Sequence, residues 1–198
     1  MRVAVLMDGG FCRVMARAAG RTYNPDFIEA LAHRALAGEE TLLRALYYDC
    51  APYQGRARLP VSGDEVLFNA SGGWLDELAR RDLIAVRRGV LKFRGFKPRR
   101  VPVSPRALAD DDFRPDFEQK GVDMMIGLDM AVLAAKRSVE RIILLTNDTD
   151  CAPAMKHVRK EGLQVVLAQL PGQSPPHELL EHTDICRAVT FPATRIPD

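Results

Sequence analysis

The chain has 198 residues, 47% hydrophobic and 27% charged, with a formal net charge of +2 at pH 7. That balance suits one soluble globular domain with a real core, and so small a net charge singles out no class of partner. Cys12, Cys50, Cys151 and Cys186 are scattered with no C-x-x-C pair, which argues against a zinc ribbon and gives no reason to invoke disulfides. No apolar run is long enough to span a bilayer, and the first one meets Asp8 too soon for a secretory signal. A cytoplasmic protein with no membrane partner is the expectation.

From the start of the chain, Arg2–Met7 reads as a buried strand ending on Asp8-Gly9-Gly10. The glycines permit a tight turn, but neither the G-x-G-x-x-G nor the Walker spacing follows, so this is not a phosphate-binding loop. Phe11–Ala19 can be helical. Asn24-Pro25 supplies an N-cap and a first-turn proline for a helix with Phe27, Ile28, Leu31, Ala35 and Leu36 on one side, ended by Gly38. Thr41–Cys50 is a second strand, closing on Asp49. Ala51–Gly63 is expected to be a loop, and Asp64–Arg81 a helix weakened by Gly72-Gly73. Leu83–Val86 and Val90–Phe93 read as short strands of an antiparallel extension.

The next stretch carries Arg87, Arg88, Lys92, Arg94, Lys97, Arg99, Arg100 and Arg106, with no acidic residue between Asp82 and Asp110. Phe93 and Phe96 are interleaved with these charges. Such a run suits phosphate contact with base stacking, or else a solvated loop. Pro98, Pro102 and Pro105 favour an extended, loop-like path. Asp110-Asp111-Asp112 is a helix start or a mobile acidic cluster and is not assigned to catalysis.

Lys120-Gly121 leads into a helix over Val122–Ala135, with Asp123 in its first turn, where the dipole favours a carboxylate. Asp129 lies about 120° around the helix from Asp123, so the two do not share one face closely. Arg141–Asp150 then organises the chain. Ile142–Leu145 fits a strand buried on both faces, and the character flips at Thr146-Asn147-Asp148-Thr149-Asp150. Beyond it come a helix over Cys151–Lys160, a strand over Leu163–Ala168, a short helix over His177–His182 and a last strand over Ile185–Val189. One domain over residues 1–190 and a loose tail over 191–198 are expected.

Alternating strands and helices predict an α/β fold with a mainly parallel central sheet flanked by helices, a Rossmann-like three-layer sandwich. Ligands bind beyond the carboxyl ends of such strands, where Asp8, Asp49 and Asp148 end three of them. Asp150 is an alternative N-cap or a second carboxylate of the same place. Clustered carboxylates repel unless cations lie between them, and oxygen-only ligation favours Mg²⁺ or Mn²⁺ over zinc. Paired hard cations can activate water for phosphodiester hydrolysis.

Three motifs in order, Val-Leu-Met-Asp8-Gly-Gly-Phe, Lys120-Gly-Val-Asp123-x5-Asp129 and Leu-Leu-Thr-Asn-Asp148-Thr-Asp150-x-x-Pro153, resemble the NYN domain, the LabA-like branch of the PIN-like nucleases. The likeness runs on to Leu180-x3-Asp184. It implies a metal-dependent ribonuclease whose acidic centre is Asp8, Asp123, Asp148 and Asp150, supported by Asp129, with Mg²⁺ or Mn²⁺ as cofactor and single-stranded RNA as partner. Arg87, Arg88, Arg94, Lys97, Arg99, Arg100 and Lys120 are the candidate RNA contacts. An asparagine usual just after the first Asp-Gly is Phe11 here. Two other classes stay open: a phosphatase with Asp8 as nucleophile, disfavoured because Gly10 stands where a second carboxylate is wanted, and a catalytically silent RNA-binding module. Homo-oligomerisation is compatible with the sequence.

Overall fold

A computed structural model describes residues 1–103 and 107–193 of the chain. Arg106 of the basic run and most of the expected tail lie outside the described residues. Strand β1 (Arg2–Asp8) is followed by helices α1 (Gly9–Ala18) and α2 (Pro25–Arg34), then β2 (Thr41–Cys50). A hairpin of β3 (Gly55–Arg58) and β4 (Glu65–Phe68), helix α3 (Gly73–Leu78) and the long β5 (Ile84–Pro98) come next. After β6 (Phe113–Lys120) the chain runs through α4 (Val122–Ala135), β7 (Arg141–Leu145), α5 (Ala152–Lys160), β8 (Gln164–Gln169), α6 (His177–Glu181) and β9 (Ile185–Ala188).

Seven strands form one sheet in the order β6-β5-β2-β1-β7-β8-β9, parallel throughout except for β6. The unbroken apolar runs explain the centre: Val3–Met7 and Ile142–Leu145 are fully buried, as strands sandwiched between two helical layers must be. Side chains alternate between the layers. Val3, Val5 and Met7 pack towards α1, α2 and α3, whereas Ala4, Leu6 and Leu144 pack towards α4 and α5. The chain leaves β1 towards β2 on one side, and β7 docks on the other. That reversal makes a crevice at the carboxyl ends of β1 and β7.

The mainly parallel α/β sheet is as expected, but the region between β2 and β6 is not. The helix expected over Asp64–Arg81 is a strand, β4, followed by the short α3, which begins at Gly73. The loop expected over Ala51–Gly63 contains β3, the partner of β4. Tertiary packing overrides helical periodicity here: Phe68 joins Tyr53, Phe93 and Phe117 in a cluster with ring centroids 5.5–5.8 Å apart. The two short strands expected at Leu83–Val86 and Val90–Phe93 are one strand, β5. Its first part pairs with β2 in parallel and its second part with β6 in antiparallel fashion. Arg94 and Lys97 therefore sit on a strand and not on a loop. Asp110–Asp112 forms a 3-10 turn, with Asp110 accepting from the Val61 and Ser62 amides.

At the amino-terminal edge of the sheet, Glu40 ties three strands together. Its side chain is 1% exposed and is bound by Arg141 of β7, by Arg187 of β9 at 2.7 and 2.8 Å, and by the Ala37 amide at 2.6 Å. Burial alone would raise the carboxyl pKa, but Arg187, the Ala37 amide and Arg141 outweigh it and hold the group at about 2. The folded pKa lies below the ordinary 4.5. The unfolded chain therefore binds the proton first, and stability present above pH 4.5 drains away as pH falls towards 2. Glu40→Gln is expected to lower the unfolding free energy at pH 7 by about 3 kcal/mol. It should also flatten the decline across that acid window, as read by urea melts.

Candidate metal centre

Three segments deliver four carboxylates to the crevice. Asp8 ends β1 and caps α1: its Oδ1 accepts from the Phe11 amide at 3.1 Å. The register of β1 on β7 pairs Met7 with Leu145, so the chain leaves both strands at the same level. Thr146, fully buried, joins the two exits. Its hydroxyl donates to Asp8 Oδ2 at 3.3 Å and accepts from the Asp148 amide at 3.1 Å. Asp148 caps a 3-10 turn over Thr149–Cys151, and its Oδ1 accepts from the Asp150 amide at 2.9 Å. Asp123 comes from the opposite side, in the first turn of α4. Gly121 precedes it at φ 84°, a conformation that favours glycine.

Asp123, Asp148 and Asp150 each offer a carboxylate oxygen, and these oxygens lie within 4.8 Å of one another. Oxygens bound to one Mg²⁺ or Ca²⁺ at about 2.0–2.6 Å are spaced that way, so the donor set fits a hard divalent cation. The charges are felt. Burial raises the Asp8 carboxyl pKa, and the neighbouring Asp148 adds to the rise despite hydrogen bonds from Phe11, Thr146 and Gly10. Asp123 is raised by burial and then by Asp148, Asp8 and Asp150. Cys151 shares the turn, but burial, followed by Asp148, pushes its thiol up to about 12, so it offers no thiolate.

Asp8 stands beside this trio rather than within its closest group. Asp129 is not brought to it. Its Oδ2 accepts from the Tyr48 hydroxyl at 2.9 Å and from Arg87 Nε at 3.0 Å, on the β5 side of α4. Asp49, at the same edge, is fully buried and engaged elsewhere. Arg13 of α1 grips both its oxygens at 2.6 and 3.2 Å, and Tyr47, Gln119 and the Cys50 amide complete its bonding. Tyr47 also underlies the turn after Asp8, where a Cβ on Gly9 would sit 2.4 Å from its hydroxyl; only glycine fits.

Of the candidate RNA contacts, five are committed within the chain: Arg87 to Asp129, Arg88 to Asp76, Arg94 and Lys120 to Glu118, and Lys97 to Asp116. Arg99 donates to the Asp111 carbonyl, and Arg100 has no carboxylate partner among the described residues. Phe93 and Phe96 pack against each other edge to face, and Phe93 also joins the aromatic cluster, with both side chains half-buried. Reading the sequence alone missed Thr146, Arg13 and Gln119. Thr146 carried a signal, as the first polar residue after the buried run. Arg13 and Gln119 carried none, since their roles depend on where Asp49 points.

The sequence profile of the NYN domain matches residues 2–189. The chain belongs to the NYN domain family. The NYN family falls among the PIN-like nucleases and implies RNA as a substrate in general, and this chain carries a cluster of aspartates. The fold is also that of a solved protein of unknown function from Vibrio parahaemolyticus, at TM-score 0.55 and 16% identity, covering 94% of this chain and 91% of that one. No curated protein sequence matches it. No helix among the described residues is long and apolar enough to cross a membrane.

Crowded carboxylates make the metal-free fold pay at neutral pH. A carboxyl whose folded pKa is raised costs stability once pH exceeds its unfolded value, and the cost fades as pH falls. Asp123→Asn is therefore expected to raise the melting temperature of the metal-free protein at pH 7 and to lose that advantage near pH 4. In the unsubstituted protein, Mn²⁺ at a hundredfold excess over its Kd should raise the melting temperature by about 5–10 °C. Asp148→Asn should keep the fold and shrink that rise, and an unchanged response to Mn²⁺ would contradict the assignment.

Proposed function

We propose that this NYN domain is a ribonuclease that hydrolyses phosphodiester bonds of single-stranded RNA with the help of Mg²⁺ or Mn²⁺. The observation that carries the reading is the set of carboxylate oxygens from Asp123, Asp148 and Asp150 within 4.8 Å of one another, with Asp8 beside them. These residues would hold the cation, which when bound stabilises charge on the phosphoryl group and makes water a better nucleophile. The protein's own part is placement. Asp8 is oriented through both oxygens, by Thr146 and by the Phe11 amide, so its carboxylate has little freedom to swing away.

The space in front is an open groove of about 470 Å³, lined by Asp8, Gly10, Phe11, Val14, Asn147 and Asp148 among others. An open groove suits a strand passing over the site. A small phosphate ester would call for a closed pocket, and Gly10 brings no second acid for a phosphatase pair. Arg13 keeps Asp49 neutralised and away from the cluster, so the negative charge is confined to the residues that can share a cation. Most cations of the Arg87–Arg100 surface are paired inside the chain, so that surface by itself favours neither an enzyme nor a silent binding module.

The test separates cutting from holding. Asp8→Asn is expected to reduce cleavage of single-stranded RNA in Mn²⁺ by at least about 100-fold, while affinity measured in EDTA stays the same or tightens slightly as a negative charge is lost. RNA bound by the unsubstituted protein but never cut with any divalent metal would replace the enzyme with a binding module.

A further inference from the structure

Most cations of the β5–β6 arm are paired with Asp76, Asp116, Glu118 and Asp129, which leaves an RNA strand in need of further positive charge. Helix α5 provides it. It begins two residues after Asp150, and its buried side carries Met155 and Val158. Pro153, Lys156, His157 and Lys160 face solvent at helical spacing, opposite that buried side. No acidic residue interrupts Cys151–Lys160. At its far end Lys156, Arg159 and Lys160 line a groove of about 480 Å³ together with Gln164, His182 and Asp184.

The acid in that groove is already used. Asp184 Oδ1 accepts from Arg159 Nε at 2.8 Å, and its Oδ2 accepts from the Val165 amide at 2.8 Å. Arg159 Nη1 donates to the Glu181 carbonyl at 3.2 Å, so the guanidinium is held in place at the groove wall. Among the described residues, Lys156 and Lys160 form no ion pair. Favourable interaction with the carbonyl end of the helix accounts for part of this charge. It does not require a concave surface, nor a basic residue from the separate α6–β9 connection, His182.

We propose that this groove binds a backbone phosphate of the RNA strand as it runs down α5, about 15 Å from the metal centre at 1.5 Å of rise per residue. Lys156 and Lys160 supply the charge and His182 a directed donor, while Arg159, paired to Asp184, shapes the groove wall. The proposal rests on the ribonuclease reading and names the path of its substrate.

Anisotropy titrations in EDTA with a single-stranded RNA of about 12 nucleotides test it. The double variant Lys156→Ala/Lys160→Ala should bind roughly tenfold more weakly, and the slope of log K against log salt should flatten by about 1.4, or 0.7 for each lost contact. A control at the exposed end of α4, Lys136→Ala/Arg137→Ala, should bind as the unsubstituted protein does. RNA affinity and salt slope untouched by the α5 variant would overturn the proposal while leaving the ribonuclease reading intact. No RNA binding by the unsubstituted protein would overturn both. Inorganic phosphate or a nucleoside monophosphate that shifts the groove's NMR signals, with RNA affinity indifferent to the lysines, would make this a free-anion site and overturn the RNA path.

Discussion

Carboxylate repulsion at one edge of the sheet is the constraint around which this molecule is arranged. Parallel pairing of β1 with β7 sends two chain exits to the same level, and each carries an aspartate, Asp8 at the end of β1 and Asp148 three residues beyond β7. The start of α4 adds Asp123 from the other side. Hydrogen bonds from Thr146 and backbone amides offset part of that crowding at Asp8, and the pKa values of Asp8 and Asp123 are raised first by burial and then by the neighbouring carboxylates. The remainder of the fold must supply the stability: a two-layer apolar core, and at the opposite edge Glu40 held by two arginines. One end of the sheet collects unlike charges and the other collects like charges. The candidate site lies at the end that collects like charges.

The same contrast separates Asp49 from Asp148. Both follow buried strands at the same edge, and by composition they are equivalent. Arg13 decides between them. Its guanidinium, five residues after Asp8 on α1, neutralises Asp49 in the interior and leaves the crevice to the other carboxylates. Asp129 is diverted in a similar way by Arg87 and Tyr48. Among the described residues, carboxylates near the candidate metal centre thus divide into those given a protein cation and those left without one. Those left without a partner are the ones suited to share an ion.

The central strands β1 and β7 were legible because they are short unbroken apolar runs, ended by Asp8-Gly9 and by Thr146-Asn147-Asp148. Helix α4 was legible from Val122 to Ala135 because apolar residues recur along it after Gly121, with Asp123 in its first turn. The segment between β2 and β6 was not. Val66, Leu67 and Phe68 fit a helical pattern in isolation, and only Tyr53, Phe93 and Phe117, distant in sequence, make a strand the better answer. Within the site, the convergence of Asp8 with Asp148 followed from strand syntax. The partner choices of Asp49, Asp129 and the basic run did not, because ion pairing is set by side-chain reach across elements. Asp116 and Glu118 lie outside the acid-free window of the sequence, yet antiparallel pairing of β6 folds them back onto its lysines and arginines.

Anomalous diffraction from a crystal soaked in Mn²⁺ tests the central claim most directly, because it locates the ion without relying on activity. The account predicts a strong peak among Asp123, Asp148 and Asp150, beside Asp8, with oxygen ligands at about 2.0–2.6 Å. A peak elsewhere, or an empty crevice at millimolar Mn²⁺ with these side chains turned apart, would contradict it.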